Sequence, residues 1–228
     1  MIYILPSVIQ PVVPVVDSDE YFPVRRIFCV GQNYADHVLE MGANPDREPP
    51  FFFSKPADGV VINNENVSYP PMTENLHHEV ELVVAIGKLA SNIEIENASS
   101  HIYGYAVGND LTRRDIQTTA KKRGWPWDVA KGFDQSAPIS AIVPITEIGE
   151  VSDGHISLSV NGAVKQQGDL SQMIWSVSEI MTELSKFYQL MPGDLIFTGT
   201  PAGVGPLVKG DLVEANIEGI GKLSNKII

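Results

Sequence analysis

The stretch Leu76-His77-His78-Glu79-Val80-Glu81-Leu82 runs into four further apolar residues, 83–86, and together they predict one long β-strand. Side chains alternate between the two faces of a strand, so Glu79 and Glu81 share one face while Val80 and Leu82 share the other. Two carboxylates roughly 7 Å apart on one face repel each other unless a cation lies between them. Their oxygens suit a hard divalent metal. The alternative is an edge strand with a solvated acidic face.

Composition narrows the class of protein. The chain has 228 residues, 43% hydrophobic and 19% charged, which is typical of a globular protein with a sizeable core. Its net charge of −12 argues against nucleic acid or an anionic membrane as the main partner. No segment approaches the roughly 20 apolar residues of a membrane span, and the N-terminus lacks the basic start of a signal peptide, so we expect a cytoplasmic protein. The single cysteine, Cys29, lies in an apolar run and is expected to be a buried structural thiol.

Many short apolar runs and few helical patterns predict a mainly β fold with flanking helices (α+β) in a single domain. Residues 1–24 are expected to form a β-rich, proline-punctuated lead-in to that domain, and residues 25–228 its main body. Asn161-Gly162 predicts a hairpin turn between two strands. The remaining strands are predicted at residues 26–30, 51–55, 60–62, 102–110, 195–198, 212–217 and 222–228.

Three helices are predicted. The first is about two turns long and stops at Gly42. The second covers residues 113–122 with Thr112 as its N-cap. The third opens with a capping box, Ser176 to Glu179, and has a stripe of apolar residues that is expected to be core: Val177, Ile180, Met181, Leu184, Phe187 and Tyr188. Residues 44–50, which are polar and include two prolines, are expected to form a mobile loop.

Several residues carry candidate chemistry. Asp110, at the end of the 102–110 strand, would add a third carboxylate to Glu79 and Glu81 and so complete an oxygen-ligand metal site. His37 and Glu40 are three residues apart on a helical turn, which suits a base and its orienting carboxylate, although an incidental surface pair fits the same spacing. The basic run at residues 121–123 is interpreted as a solvated helix face. The glycine-rich segment 199–205 lacks the ending of a P-loop and is interpreted as a turn or anion nest.

Five motifs in order resemble the fumarylacetoacetate hydrolase family: Cys-Val-Gly-Gln-Asn-Tyr-Ala-Asp-His (29–37), Leu-His-His-Glu-Val-Glu-Leu (76–82), Gly-Asn-Asp-Leu-Thr-Arg-Arg-Asp (108–115), Ala-Lys-Gly-Phe-Asp (130–134) and Phe-Thr-Gly-Thr-Pro-Ala-Gly-Val-Gly (197–205). The similarity runs from about residue 25 to the C-terminus and is greatest to the short acylpyruvate and fumarylpyruvate hydrolases. The resemblance implies a β-roll fold, a homodimer, and Mg²⁺ or Mn²⁺, with Ca²⁺ as a substitute, bound by Glu79, Glu81 and Asp110.

The resemblance also implies roles for other side chains. His37 and Glu40 match the family's dyad on a lid helix. Lys131 and Gln117 match family substrate contacts, and in the expected mechanism they stabilise the oxyanion. The expected substrate contacts are Arg114, Thr200, Lys55 and Gln32. At Gln32 many acylpyruvate hydrolases carry an arginine, so this chain keeps a hydrogen-bond donor there but loses the charge.

The function implied is metal-dependent hydrolysis of a carbon–carbon bond in a 3-acylpyruvate, with fumarylpyruvate giving fumarate and pyruvate in aromatic degradation. In this scheme His37 activates a water, and the metal holds the leaving pyruvate as its enolate. The alternatives are oxaloacetate decarboxylation, isomerisation or decarboxylation of a homologous unsaturated diacid, dehydration of a sugar acid, and a catalytically silent metal-binding relative. Decarboxylation needs no activated water, and a silent protein needs neither the acidic residues nor the His37–Glu40 pair.

Overall fold

The computed structural model describes Ile4, residues 9–42 and residues 48–228. Its strands are β1 (Val12–Pro14), β2 (Tyr21–Pro23), β3 (Arg26–Gly31), β4 (Phe51–Lys55), β5 (Val60–Val61), β6 (Leu76–His78), β7 (Val80–Ile86), β8 (Ile102–Asn109), β9 (Thr112–Arg113), β10 (Ala137–Pro138), β11 (Val143–Pro144), β12 (His155–Val160), β13 (Ala163–Asp169), β14 (Asp194–Phe197), β15 (Gly205–Leu207), β16 (Leu212–Ile217) and β17 (Gly221–Lys226).

The helices are fewer and shorter. They are α1 (Ala35–Glu40), α2 (Arg114–Arg123), α3 (Asp128–Lys131), α4 (Ile145–Ile148) and α5 (Val177–Phe187), with 3₁₀ turns at Ala57–Gly59, Ile95–His101 and Leu170–Gln172. The prediction of a mainly β fold with flanking helices is therefore confirmed. Within the described residues, none of these helices has the length and apolar composition that a membrane crossing requires.

A six-stranded mixed sheet with the order β11-β8-β7-β14-β3-β4 forms the centre of the fold. Strands β14 and β3 pair in parallel, and the other neighbours in this sheet pair antiparallel. A four-stranded antiparallel sheet, β13-β12-β16-β17, packs against one face. Its strands β12 and β16 alternate buried and more exposed residues, as expected for a sheet with one wet face.

Strand β7 is buried on both faces, and its side-chain alternation separates two hydrophobic clusters. Leu82 and Val84 belong to the larger cluster, which also includes Leu158 of the four-stranded sheet. Val83 and Ala85 belong to the second cluster, on the opposite face. By the same period of two, Glu81 points toward the second face, at the end of β7 where the apolar residues give way to charged ones.

The N-terminal residues that the structure describes contribute to that second cluster. Strands β1 and β2 form an antiparallel pair in which Val13 lies opposite Phe22. Both side chains are buried in the same cluster as Ile27 of β3. The lead-in predicted at residues 1–24 therefore packs against the main sheet from residue 12 onward. The loop predicted at residues 44–50 lies mostly outside the described residues, because residues 43–47 are not described.

The locally encoded features are confirmed. Asn161 and Gly162 both have positive φ, at 52° and 79°, and connect the paired strands β12 and β13. Ser176 and Glu179 form the reciprocal hydrogen bonds of a capping box at the start of α5. The thiol of Cys29 is buried, and burial, followed by the nearby charge of Asp110, raises its pKa well above the ordinary value.

Three local predictions are wrong. Thr112 lies in β9, opposite His77, and does not cap α2; its hydroxyl donates to the backbone oxygen of Asp110. The strand predicted through residue 79 is interrupted there, because the backbone N–H of Glu79 donates to the Asn109 side chain at 2.9 Å and not to a neighbouring strand. The apolar stripe of α5 is core only in its first turns, since Phe187 is 71% and Tyr188 44% exposed.

Candidate active site

Three buried carboxylates converge where β7 begins and β8 ends. Pairing of Glu81 with Gly108 sets the register of the two strands, and the backbone N–H of Asp110 donates to the carbonyl of Glu79 at 2.8 Å. One carboxylate oxygen from each of Glu79, Glu81 and Asp110 lies within 4.8 Å of the other two. The antiparallel pairing thus brings Asp110 together with Glu79 and Glu81, which lie 31 and 29 positions earlier in the sequence, in one oxygen-rich site.

Three cationic side chains are packed against these carboxylates. Lys131 donates from Nζ to Glu79 and to Asp110, each at 2.7 Å. Arg114 donates from Nη2 to the other oxygen of Glu79. Lys55 lies behind the site: its Nζ is 2.8 Å from Asp110 Oδ1 and donates to the backbone oxygen of Leu111 at 3.0 Å. The formal charges of the three acids and the three cations are therefore equal in number.

These charges are unevenly distributed. Burial raises the pKa of Glu79, but Lys131 and Arg114 outweigh that effect and hold the pKa well below its ordinary value. Glu81 has no ion-pair partner among the described residues and accepts only a backbone N–H, from Gly199 at 2.8 Å. Burial, and then the negative charges of Asp110 and Glu79, raise the pKa of Glu81 well above its ordinary value.

The arrangement fits a hard divalent cation. All the ligand atoms offered are carboxylate oxygens, which suit Mg²⁺ or Mn²⁺ better than a soft metal. The raised pKa of Glu81 is a second indication of a cation site. A buried carboxylate that repels two neighbouring acids is stabilised in its charged form by an added cation. The three residues singled out in the sequence as metal ligands are thus brought together.

One face of α2 lines the cavity beside the carboxylates. Arg114, Gln117 and Lys121 occupy positions i, i+3 and i+7, which fall on the same side of a helix. Nη1 of Arg114 donates to Oε1 of Gln117 at 2.5 Å, so the side-chain nitrogen of Gln117 is the end left to donate elsewhere. Arg114 therefore orients both Glu79 and Gln117, in addition to lining the cavity.

The short helix α1 brings a histidine over the same cavity. Nδ1 of His37 lies 3.1 Å from Oε2 of Glu40, and since a carboxylate only accepts, Nδ1 carries the hydrogen. Nε2 is then the basic nitrogen of His37. Glu40 is itself held by the backbone N–H of Gly203 at 3.1 Å. The φ of Gly203 is +99°, and a Cβ there would lie 2.1 Å from the Lys165 carbonyl, so this anchor requires glycine.

A buried glutamine positions Thr200. Nε2 of Gln166 donates to Oγ1 of Thr200 at 2.7 Å and to the carbonyl of Pro201 at 2.8 Å. Its Oε1 accepts from Val80 N at 3.1 Å and from His78 Nδ1 at 2.8 Å. The backbone partners have fixed polarity, so they fix the orientation of the amide. Because Oγ1 of Thr200 already accepts from Gln166, its own hydrogen remains available to a ligand.

About 380 Å³ of space not filled by protein atoms lies between these elements, part of it open to solvent. Its wall includes most of the residues singled out in the sequence: Gln32, His37, Glu79, Glu81, Asp110, Arg114, Gln117, Lys131 and Thr200. Lys55 is not part of that wall, and its fully buried ammonium contacts Asp110 and not open space. Gln32 has a left-handed backbone, with φ of 59°, the kind of local strain that is common at functional sites.

The sequence interpretation missed several residues of the site. The basic run at residues 121–123 is exposed, as predicted for a solvated face, but Lys121 also lines the cavity together with Phe53 and Trp127. The spacing of Lys121 from Arg114 and Gln117 was a signal that could have found it. Gln166 and Asn109 carried no such signal, because their partners lie 34 and 30 residues away along the chain.

Comparisons with known proteins agree with this geometry. The family model described as fumarylacetoacetate (FAA) hydrolase, C-terminal, matches residues 26–228. The crystal structure of fumarylpyruvate hydrolase from Pseudomonas aeruginosa in complex with Mn²⁺ and pyruvate has a TM-score of 0.97 and 46% sequence identity, with 99% of each chain covered.

Curated relatives carry two different activities in their names. Fumarylpyruvate hydrolase from a Ralstonia species is 45% identical over 81% of this chain and 96% of its own length. Oxaloacetate tautomerase YcgM from Escherichia coli strain K12 is 41% identical over 87% of this chain and 90% of its own length. Similarity of this degree establishes the family and leaves two reactions to be distinguished by the site.

Proposed function

The chain belongs to the fumarylacetoacetate hydrolase family, and we propose that it hydrolyses a carbon–carbon bond of 3-acylpyruvates, with fumarylpyruvate as the substrate that gives fumarate and pyruvate. The observation that carries this proposal is His37, which Glu40 holds from outside the cavity and which lines one cavity with Lys131 and Gln117. Hydrolysis needs a base for water and donors for an oxyanion, and both are present there.

Each side chain has a separate task in the proposed reaction. Glu79, Glu81 and Asp110 would hold Mg²⁺ or Mn²⁺, which supplies Lewis-acid polarisation of the keto-acid end of the substrate when bound. Nε2 of His37 takes a proton from water, while Glu40 holds the ring and stabilises its protonated form. The water oxygen then attacks the acyl carbonyl. Collapse of the oxyanion so formed breaks the carbon–carbon bond and releases the acyl group as its acid, and the pyruvyl carbon that leaves takes the proton held by Nε2 of His37.

Lys131 and Gln117 stabilise the oxyanion formed by that attack. An ammonium group has three donors, and Lys131 uses two of them on Glu79 and Asp110, which leaves one. Gln117 contributes its side-chain nitrogen, because Arg114 occupies its oxygen. The Mn²⁺ and pyruvate bound by the similar Pseudomonas aeruginosa enzyme support a divalent cation and a pyruvyl group at this site.

A substrate panel tests the reaction. Purified protein with Mg²⁺ or Mn²⁺ is expected to consume the enol absorbance of fumarylpyruvate and release pyruvate in equal amount. His37→Gln should lower kcat by about 10²-fold or more, because it removes the base, while Mn²⁺ binding measured by calorimetry stays unchanged. Asp36→Asn, an exposed neighbour on α1, is the matched control. Turnover of oxaloacetate without cleavage of any acylpyruvate would contradict the hydrolase proposal.

Oxaloacetate tautomerisation is the second candidate, favoured by the 41% identity to the Escherichia coli enzyme of that name. It needs a base to move a proton between carbon and oxygen, and His37 would serve, but it needs no attacking water. Following the enol of oxaloacetate and pyruvate release separately distinguishes tautomerisation from decarboxylation and from acylpyruvate cleavage in the same panel.

We also propose a homodimer, as the family resemblance implies. Strand β4 lies at the edge of the six-stranded sheet, and its Phe52 packs against the exposed Phe187 of α5 with ring centroids 6.2 Å apart. Exposed aromatic residues beside an edge strand favour association. Light scattering coupled to size exclusion should give twice the monomer mass of 24.9 kDa.

A further inference from the structure

The three cationic side chains next to the carboxylate site already form ion pairs with its carboxylates. Lys131 and Arg114 are bonded to Glu79, and Lys55 is in contact with Asp110. Lys121 also lines the cavity, but no carboxylate among the described residues pairs with it. Its charge is therefore available to an anion that enters the cavity.

Aromatic packing holds Lys121 at the rim of the cavity. Its Nζ lies 5.1 Å from the centre of the Trp127 ring, a cation–π distance. Trp127 is fixed in turn by Phe51 and Phe53, with ring centroids 5.3 and 5.7 Å away. The neighbouring Arg123 packs on Trp125 instead, with Cζ 4.6 Å from the ring centre. Within the basic run of residues 121–123, Lys121 therefore lies on the cavity face of the helix and Arg123 has a different aromatic partner.

The position of Lys121 along α2 suits the far end of an elongated substrate. Seven residues separate it from Arg114, a rise of about 10 Å along a helix. Partial burial, followed by the positive charge of Arg114, lowers the pKa of Lys121, while the negative charge of Glu79 raises it.

We propose that Lys121 binds the distal carboxylate of the substrate and so makes the enzyme selective for 3-acylpyruvates that carry a second, terminal carboxylate. This inference rests on the proposed function, because it assumes that the pyruvyl end lies at Glu79, Glu81 and Asp110. The protein would then prefer a dianionic substrate such as fumarylpyruvate to acetylpyruvate, which ends in a methyl group.

The test compares Lys121→Met, which keeps the length and packing of the side chain, with Lys121→Arg, which keeps its charge. Lys122→Met is the matched control, because Lys122 is exposed on the same helix and does not line the cavity. In Mn²⁺-loaded protein, Lys121→Met should raise KM for fumarylpyruvate about tenfold and change KM for acetylpyruvate less than twofold. Lys121→Arg and Lys122→Met should stay within about threefold of the parent for both substrates.

A binding measurement keeps this test separate from the proposed reaction. Calorimetric titration of the Mn²⁺-loaded His37→Gln variant, which is expected to bind the ligands without rapid cleavage, should show tighter binding of fumarylpyruvate than of acetylpyruvate, and adding Lys121→Met should remove that difference. An equal effect of Lys121→Met on both ligands, or no preference in the His37→Gln variant, would overturn the assignment of Lys121. Absence of cleavage with the binding preference intact would overturn the proposed hydrolysis alone.

Discussion

Two buried charge clusters lie at opposite ends of the parallel strands β3 and β14. Asp194 and Arg26 are paired at the start of these strands, and Gly31 and Gly199, at the other end, line the candidate active site. Both clusters contain buried carboxylates paired with cations, although Arg25 and Arg26 themselves are 47% and 33% exposed. They differ in whether every carboxylate has a cationic partner.

The Asp194 cluster is fully satisfied. The carboxylate is 0% exposed and accepts from Arg25 at 3.1 Å, from Arg26 at 2.7 Å and from the backbone N–H of Met191 at 2.8 Å. The active-site cluster leaves Glu81 without a cation in the described part of the chain. A buried carboxylate with all its partners ties strands together, whereas one that lacks a cation and faces a cavity marks a place for a ligand.

The largest expected effect separates the two roles through activity. Glu81→Gln should lower turnover by at least about 10³-fold. Glu81 is a proposed ligand of the divalent cation, and weaker cation binding would remove electrostatic stabilisation of the transition state. The metal-free variant should melt at or above the temperature of the parent, since the amide removes repulsion from Asp110 and Glu79. Steady-state kinetics and thermal melts in EDTA measure both. Activity near that of the parent would show that Glu81 has no part in the reaction.

The second prediction concerns stability. Asp194→Ala should lower the free energy of unfolding by about 2 kcal/mol, because it removes the buried acceptor that Arg26 and the backbone N–H of Met191 share. The kcat of the folded protein should change less than about twofold, since Asp194 does not line the cavity. Urea unfolding provides the measurement. Glu183→Gln, which breaks the exposed pair with Lys186, is the control and should cost less than about 0.5 kcal/mol.

The third and smallest effect sharpens the interpretation of Glu81. Its raised pKa means that the metal-free site binds a proton that a cation must displace. Affinity for Mn²⁺ should therefore rise with pH, by up to tenfold per unit below that pKa, and level off above it. Calorimetry in buffers of different ionisation enthalpy counts the protons released. Glu81→Gln should weaken binding and flatten the pH dependence, and an equal slope in both proteins would contradict the assignment.

Features that depend on neighbouring residues were predictable from the sequence. The capping box at Ser176 and the turn at Asn161-Gly162 need only side chains within three positions to form their hydrogen bonds. The same local logic misassigned Thr112, because it pairs with His77 in a strand 35 residues away and is unavailable as a cap. It also predicted Phe187 in the core, although this side chain is 71% exposed in the last turn of α5.

The sequence alone determined the family and most of the candidate site residues. The patterns that reveal them are short-range: two carboxylates two residues apart on a strand, and a histidine three residues before a glutamate. Tertiary structure determined how the charges are matched. Lys55, Lys131 and Arg114 reach the acids across 21 to 55 residues of chain, and nothing in their spacing shows that two acids would be neutralised and Glu81 left alone. Which cation remains for a ligand is likewise decided by packing, since only the face that α2 turns toward the cavity separates Lys121 from Lys122.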